Sequence, residues 1–95
     1  MAVELSAEAD RDLAELIASG LERYGLAASD RYVARLPEAF EMIDSFPRIA
    51  RLRDEIDGAT RGFPVGVHII FYQVDDADDV LILRIRHRRE DWLAN

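Results

Sequence analysis

The sequence contains neither cysteine nor lysine in its 95 residues. Without cysteine the chain can form no disulfide and use no thiolate, and its two histidines cannot supply the four ligands of a structural zinc site. Without lysine, no side-chain amine is available as a base, a nucleophile or a phosphate contact, and all 12 basic residues are arginines. We therefore expect no metal ion and no cofactor.

Long apolar runs are also absent. No segment approaches the ~20 apolar residues that span a bilayer, and the first ten residues hold acids rather than a signal-peptide stretch. Small secreted domains usually need disulfides, so we predict a cytoplasmic protein without membrane contacts. A hydrophobic fraction of 49% and a charged fraction of 33% over this length predict one globular domain, residues 1–95.

Two amphipathic helices are predicted in the first half of the chain. Ser6 is a candidate N-cap, and apolar residues then recur at three- and four-residue spacing up to Gly25, which lies where a left-handed C-terminal cap is expected. The second helix is predicted to start within residues 27–30, to kink at Pro37 and to end before Pro47. Together the two form a helical hairpin.

Strands are predicted on both sides of this hairpin. Residues 3–5 alternate as a short strand, residues 59–65 form a weak strand at an edge or bulge, and residues 67–74 pair with 80–87 across an acidic turn. Residues 48–58 are polar and aperiodic and are predicted to be a surface loop. The element order β-α-α-β-β-β predicts an α+β fold, with the helices on one face of a small, mostly antiparallel sheet.

The last predicted strand runs into a basic end, which is the main functional signal in the residues themselves. Alternation of side chains predicts that Leu81, Leu83 and Ile85 share one face of this strand. Five potential cations follow within six residues: Arg84, Arg86, His87, Arg88 and Arg89. They could pair with neighbouring acids as a solvated strand end, or they could form a surface for a partner or target. The net charge of −7 argues against tight non-specific binding to duplex nucleic acid, so we favour recognition of a partner.

Five segments of the chain match a known family when taken in order. They are residues 5–13 (LSAEADRDL), 46–47 (FP), 61–66 (RGFPVG), 68–72 (HIIFY) and 82–92 (ILRIRHRREDW). Each is weak alone, but together they resemble the ParE branch of the RelE/ParE toxins of bacterial type II toxin–antitoxin systems. The resemblance implies a RelE/ParE-like fold and a toxin neutralised by a ParD-like antitoxin, a ribbon-helix-helix protein through which alone the toxin would meet DNA. It also implies inhibition of DNA gyrase without enzymatic activity.

The same resemblance implies two binding surfaces. The antitoxin would lie in a groove lined by Leu13, Leu16, Ile17, Leu21, Tyr32, Leu36 and Phe40. The surface responsible for toxicity would contain Arg61, Arg84, Arg86, His87, Arg88, Arg89 and Trp92. His68, inside a predicted strand, is expected to be structural. Many ParE toxins are basic, so the acidity of this chain implies either local recognition at its arginine-rich end or an unusually basic or apolar antitoxin.

Two alternatives remain open at this point. RelE relatives cut messenger RNA on the ribosome, and one version of their site uses glutamate, arginine and histidine, which Glu55, Arg61 and His87 could supply. The spacing of these residues does not show that they converge, and a lysine-dependent version of the site is excluded. The second alternative is a non-toxic relative that still binds an antitoxin.

Overall fold

The structure, a computed structural model, describes residues 2–90, and the expected α+β fold is confirmed. The elements in chain order are β1 (Val3–Leu5), α1 (Ala7–Val33), α2 (Arg35–Ser45), β2 (Arg51–Leu52), β3 (Arg61–Val65), β4 (His68–Val74) and β5 (Val80–His87). The five strands form one sheet in the order β1-β5-β4-β3-β2, in which β1 is parallel to β5 and all other neighbours are antiparallel. Trp92 lies outside the described residues.

The two helices begin and bend where local chemistry requires it. Ser6 has an extended backbone and its Oγ accepts a hydrogen bond of 3.0 Å from the Ala9 N–H, as expected of an N-cap. Gly25 adopts φ 80° and interrupts the helical dihedrals inside α1. The second break lies at Ala34, not at Pro37 as predicted. The proline ring collides with the carbonyl four residues earlier, so the disruption falls just before α2 and the proline occupies its first turn.

The sheet differs from the prediction at its second strand. Within the predicted surface loop 48–58, β2 pairs with β3 through Arg51–Gly62 and Leu52–Arg61. The strand that we expected at an edge therefore has a neighbour on both sides. A strand of two residues has too little alternation to be recognised from sequence.

The pairing of β4 with β5 contains an irregularity that reverses part of the predicted face assignment. Tyr72 pairs with Ile82 and Phe71 pairs with Arg84, so Leu83 is an extra residue on β5. One inserted residue shifts the alternation of everything beyond it. Ile85 is consequently buried with Ile82 in the core, and the prediction that it shares the face of Leu83 is wrong.

The core lies between α1–α2 and one face of the sheet. Its largest fully buried side chains are Leu36 and Ile43 from α2 and Ile70, Tyr72 and Ile82 from the central strands. Removing each of these apolar side chains from water contributes about 1.5–3 kcal/mol. No helix within residues 2–90 has both the length and the apolar character to cross a bilayer.

Beyond the end of β1, the start of α1 continues along the side of β5. The Ser6 N–H donates to the Ile82 carbonyl (2.9 Å) and its hydroxyl to the Leu83 carbonyl (2.8 Å). Nearly two helical turns further on, the Asp12 carboxylate accepts the Ile85 N–H at 2.9 Å. Side chains of the helix thus take the place of a neighbouring strand.

Candidate functional site

The apolar face of α1 is only partly covered by the rest of the chain. Leu13 and Leu16 pack against the core, but Ile17, Leu21 and Tyr24 are 39%, 47% and 70% exposed. Only Ala9 and Ser29 are fully buried in this helix of 27 residues. The predicted helical spacing is therefore correct, but the outer half of the apolar stripe has no partner within residues 2–90. Contiguous exposed apolar surface of this kind marks interaction sites.

Beside this stripe lies a groove between α1 and the ends of β4 and β5. Its apolar half has a volume of about 400 Å³. Its charged half, lined by three acids and three arginines, has a volume of about 350 Å³ and shares five lining residues with the apolar half: Leu16, Ser19, Arg23, His68 and His87. Leu16 and Tyr32 are the two predicted antitoxin contacts that line the groove directly.

Two other predicted antitoxin contacts lie elsewhere. Leu36 is 2% exposed and belongs to the core, so it cannot contact a partner without unfolding, and this part of the predicted groove is wrong. Phe40 packs against the same core on α2. The error arises because Leu36 and Phe40 follow Tyr32 at helical spacing. Such spacing predicts a shared apolar face but does not say which part of that face packs into the core.

Tyr32 connects α1 to the turn between β3 and β4. Its hydroxyl lies 2.9 Å from the Val65 carbonyl, 3.1 Å from the Val67 N–H and 2.7 Å from His68 Nδ1. A hydroxyl has one proton, so donation to Val65 and acceptance from Val67 require His68 to donate through Nδ1. This tautomer leaves Nε2 of His68 as an acceptor that has no partner within residues 2–90. Neither Arg23 nor His68 was predicted to line a groove, because nothing in the local pattern of either residue indicates it.

The two histidines lie against each other at the floor of the groove. His68 pairs with His87 across β4 and β5, and their ring centroids are 5.5 Å apart in an edge-to-face arrangement. Nδ1 of His87 accepts the Arg89 N–H at 3.1 Å, which leaves the proton of a neutral His87 on Nε2. Burial, and then the neighbouring His87, lower the pKa of His68 despite the opposing effect of Glu90. The prediction that His68 has a structural role agrees with its bond to Tyr32.

Arg84 is neutralised inside the chain. Its Nε and Nη2 donate to the two carboxylate oxygens of Asp12 at 2.8 and 3.0 Å. Burial opposes ionisation of Asp12, but the hydrogen bonds from Arg84 and the Ile85 N–H outweigh it and lower the pKa of this carboxyl. Asp12 lies 72 residues from Arg84 in sequence, so no local pattern could identify it as the partner.

Arg86 is also paired, and its partner Glu90 shapes the basic end. The Glu90 carboxylate accepts hydrogen bonds from the Arg86 guanidinium and, at 2.9 Å, from the His87 N–H. The Arg86 hydrogen bond is the main cause that lowers the pKa of Glu90. These contacts close a turn over residues 87–90, in which the Glu90 N–H donates to the His87 carbonyl at 3.0 Å.

Arg88 and Arg89 are the two arginines that this turn presents outward. Both residues are exposed, and no acidic side chain within residues 2–90 pairs with either. The Arg88 N–H donates to the Val67 carbonyl at 2.8 Å, which fixes the turn beside the groove. Arg84 and Arg86 thus pair internally, whereas the two arginines of the turn face solvent. For these two, the reading as a surface for a partner or target stays a prediction.

The residues considered for a nuclease are not brought together. Arg61 donates to the carbonyls of Arg48 (3.2 Å) and Ala50 (2.8 Å) and supports the connection before β2. In the register of the sheet, Arg61 of β3 lies opposite Tyr72 of β4, whereas His87 of β5 lies opposite His68 of β4. Four residues along β4 and two strand spacings place Arg61 about 16 Å from His87.

Glu55, the acid considered for such a site, lies in the connection between β2 and β3. Its carboxylate lies 3.5 Å from Arg53 in an exposed loop. A hydrogen bond from its own backbone N–H and the nearby arginines lower its pKa, so it is ionised at neutral pH. An ionised carboxylate has the protonation state of a general base, not that of a general acid.

Relatives of known identity share this chain's length and fold. A family model described as the ParE toxin of the type II toxin–antitoxin system parDE matches residues 3–92. Toxin ParE1 of two Mycobacterium tuberculosis strains is 31% identical over 87 residues, which span 92% of this chain and 89% of that protein.

Solved structures agree with this assignment. A chain of the RelBE2 toxin–antitoxin complex of M. tuberculosis superposes with a TM-score of 0.65 at 30% identity, covering 92% of this chain and 96% of that one. A chain of the chromosomal ParDE system of P. aeruginosa shares the fold, with a TM-score of 0.77 at 16% identity over 92% and 95% of the two chains. This chain therefore belongs to the ParE toxin family of type II toxin–antitoxin systems.

Proposed function

We propose that this toxin is held inactive by a ParD-like antitoxin bound along α1 and in the adjacent groove. On release it inhibits DNA gyrase by binding rather than by catalysis. The observation that carries the proposal is the juxtaposition of two surfaces. The uncovered apolar stripe of α1 supports helix-in-groove binding of an antitoxin segment. The exposed turn with Arg88 and Arg89 lies directly beside it and supports contact with a target.

The antitoxin half of the proposal can be tested at Leu21. This side chain is 47% exposed, so a charge there leaves the core intact and is costly only once a partner covers it. In Leu21→Glu, we expect the Kd for the antitoxin to rise about 30-fold or more, as for a central interface residue worth ~2 kcal/mol. The antitoxin used for this test is the ribbon-helix-helix protein encoded by the neighbouring gene, identified because it co-purifies with the toxin when the two are co-expressed. Its binding to the toxin is measured by calorimetry.

A matched control shows whether the effect is specific to α1 or follows from replacing any exposed apolar side chain by a charged one. Ile49 is 53% exposed and lies in the connection between α2 and β2, away from the groove. Ile49→Glu should bind the antitoxin as the parent chain does. Equal weakening by both substitutions would contradict an antitoxin site on α1.

The target half of the proposal can be tested at the exposed turn. The double substitution Arg88→Gln and Arg89→Gln should abolish growth arrest on expression and inhibition of gyrase supercoiling, while antitoxin binding persists. The double substitution Arg11→Gln and Arg51→Gln removes the same charge at exposed positions on α1 and β2 and should leave toxicity unchanged.

Other outcomes assign the chain to the alternatives. Active gyrase together with transcripts cleaved on purified ribosomes would replace gyrase inhibition with endoribonuclease activity. Unimpaired growth on expression of the parent chain alone would identify a relative that binds its antitoxin but does not kill.

A further inference from the structure

The two histidines at the floor of the groove are the only histidines of the chain. Their Nδ1 atoms are both occupied, in His68 by Tyr32 and in His87 by the Arg89 N–H. The remaining nitrogen of each ring, Nε2, has no partner within residues 2–90. In the neutral pair, one of these atoms is an acceptor and the other a donor, as assigned from the hydrogen bonds above.

Two of the three acids near this pair are already engaged. From α1, Asp12 is satisfied by Arg84 and by the Ile85 N–H. From the turn after β5, Glu90 is satisfied by Arg86 and by the His87 N–H. The third acid that lines the charged half of the groove, Glu15, is exposed to solvent.

One arginine of the groove also lacks an acidic partner. Arg23 of α1 lines both halves, and no acid within residues 2–90 pairs with it. Tyr32 faces His68 as a neutral hydrogen-bond partner. The three arginines and three acids that line the groove balance in charge, but the Arg23 guanidinium and the N–H at Nε2 of His87 are donors without an acceptor within residues 2–90. The apolar half, lined by Leu16, Tyr24 and Val33, lies next to these donors.

We propose that the pair formed by His68 and His87 is a receptor for one carboxylate of the bound antitoxin segment, and that binding takes up one proton onto the pair. The inference rests on the proposed function, because the segment is the one that covers α1. The segment would place an apolar side chain in the apolar half and an aspartate or glutamate, one helical turn away, against the imidazoles.

The proton uptake follows from the hydrogen-bond geometry. A carboxylate accepts hydrogen bonds and cannot donate one. It can accept the N–H at Nε2 of His87, but it meets the lone pair at Nε2 of neutral His68. A proton taken from solvent forms an N–H bond at that atom, turns it into a donor and supplies the opposite charge, while the bond between Nδ1 of His68 and Tyr32 is kept.

A sign test distinguishes this receptor from simple burial. Covering the imidazoles with an apolar segment would lower their pKa values, whereas an adjacent carboxylate raises them. The chain is labelled with isotopic histidine, so only two imidazoles are seen, and it is titrated by NMR alone and in complex with the unlabelled antitoxin. We expect at least one imidazole to titrate about one pH unit or more higher in the complex. If both values are unchanged or lower, the inference is wrong.

A binding experiment gives a second, independent measurement. Affinity for the antitoxin should strengthen several-fold between pH 8 and pH 6, and this gain should be lost in His68→Gln, in which the titrating group is replaced by an amide. Arg11→Gln should retain the gain. A tight complex with equal pH dependence in the parent chain and in His68→Gln would overturn the receptor but leave the proposed function standing. Failure to form any complex would overturn both.

Discussion

Asp12 is the residue whose removal most directly tests how the basic end is held. Its carboxylate is 10% exposed and accepts three hydrogen bonds, two from Arg84 and one from the Ile85 N–H. In Asp12→Ala all three donors lose their acceptor. A hydrogen bond to a charged group contributes ~1.5–3 kcal/mol, and the 37% exposure of Arg84 lets water replace part of what is lost. We expect the free energy of unfolding to fall by about 2–3 kcal/mol.

The pH dependence of this loss follows from the pKa of Asp12. In the folded chain that pKa lies below its ordinary value of 3.8. The ionised carboxylate therefore stabilises the fold fully above pH 3.8, and its contribution disappears as the pH falls through the lower, folded pKa. The difference in stability between the parent chain and Asp12→Asn, in which the proton-binding carboxylate is replaced by an amide, should be largest near pH 7 and should shrink towards pH 2.

Urea denaturation followed by circular dichroism measures this difference at each pH. In thermal melts, a loss of 2–3 kcal/mol corresponds to a drop of roughly 8–24 °C in Tm for a domain of this size. Asp10→Asn is the control, because Asp10 is exposed in the same first turns of α1 and should cost no more than about 1 kcal/mol. A cost of Asp12→Ala no larger than that of this control, or an Asp12→Asn difference as large at pH 2 as at pH 7, would contradict the role assigned to the Asp12 carboxylate.

Three further predictions concern the turn and histidines beside the groove. Gly66→Ala should destabilise the chain by about 1–2 kcal/mol or more in urea denaturation, because Gly66 has φ 56° and a Cβ there would lie 2.6 Å from the Tyr32 ring; Gly58→Ala, with open space around it, should stay within about 0.5 kcal/mol. Tyr32→Phe should lower the free energy of unfolding by about 1–2 kcal/mol by the same measurement. It should also speed amide exchange at Val67, because the Val67 N–H loses the Tyr32 hydroxyl as its acceptor. Because the fold lowers the pKa of His68 below 6.5, the neutral ring stabilises the fold above that pH. Stability should therefore fall as the pH drops below 6.5, and His68→Gln should remove this part of the dependence.

The features that local chemistry determines could be predicted from the sequence. The N-cap at Ser6 and the left-handed glycine at Gly25 each depend on a few neighbouring residues, and the β4–β5 hairpin depends on two alternating runs joined by an acidic turn. The extra residue at Leu83 could not be predicted. The alternation of residues along β5 is the same with or without an extra residue at Leu83, so only the register against β4 shows that one is present.

The candidate site was predictable only in composition. The sequence identifies an arginine-rich end, but it does not say that Asp12 neutralises Arg84 or that His68 lies beside His87. These contacts join residues far apart in the chain, so they depend on the assembled sheet rather than on any local pattern. The exposure of Leu21 could not be predicted either, because helical spacing shows which residues share an apolar face but not which of them are buried by other elements.

The hydrogen bonds that Ser6 and Asp12 make along β5 restrict how any partner can associate with this toxin. An exposed strand edge invites a second chain to add a strand through its backbone, which leads to domain swapping or aggregation. On this side the backbone groups of Ile82, Leu83 and Ile85 already have partners in the same chain. The two outermost strands are short, since β1 has three residues and β2 has two. Strand addition is therefore disfavoured at both ends of the sheet, which favours recognition through side chains on the helices and the turn.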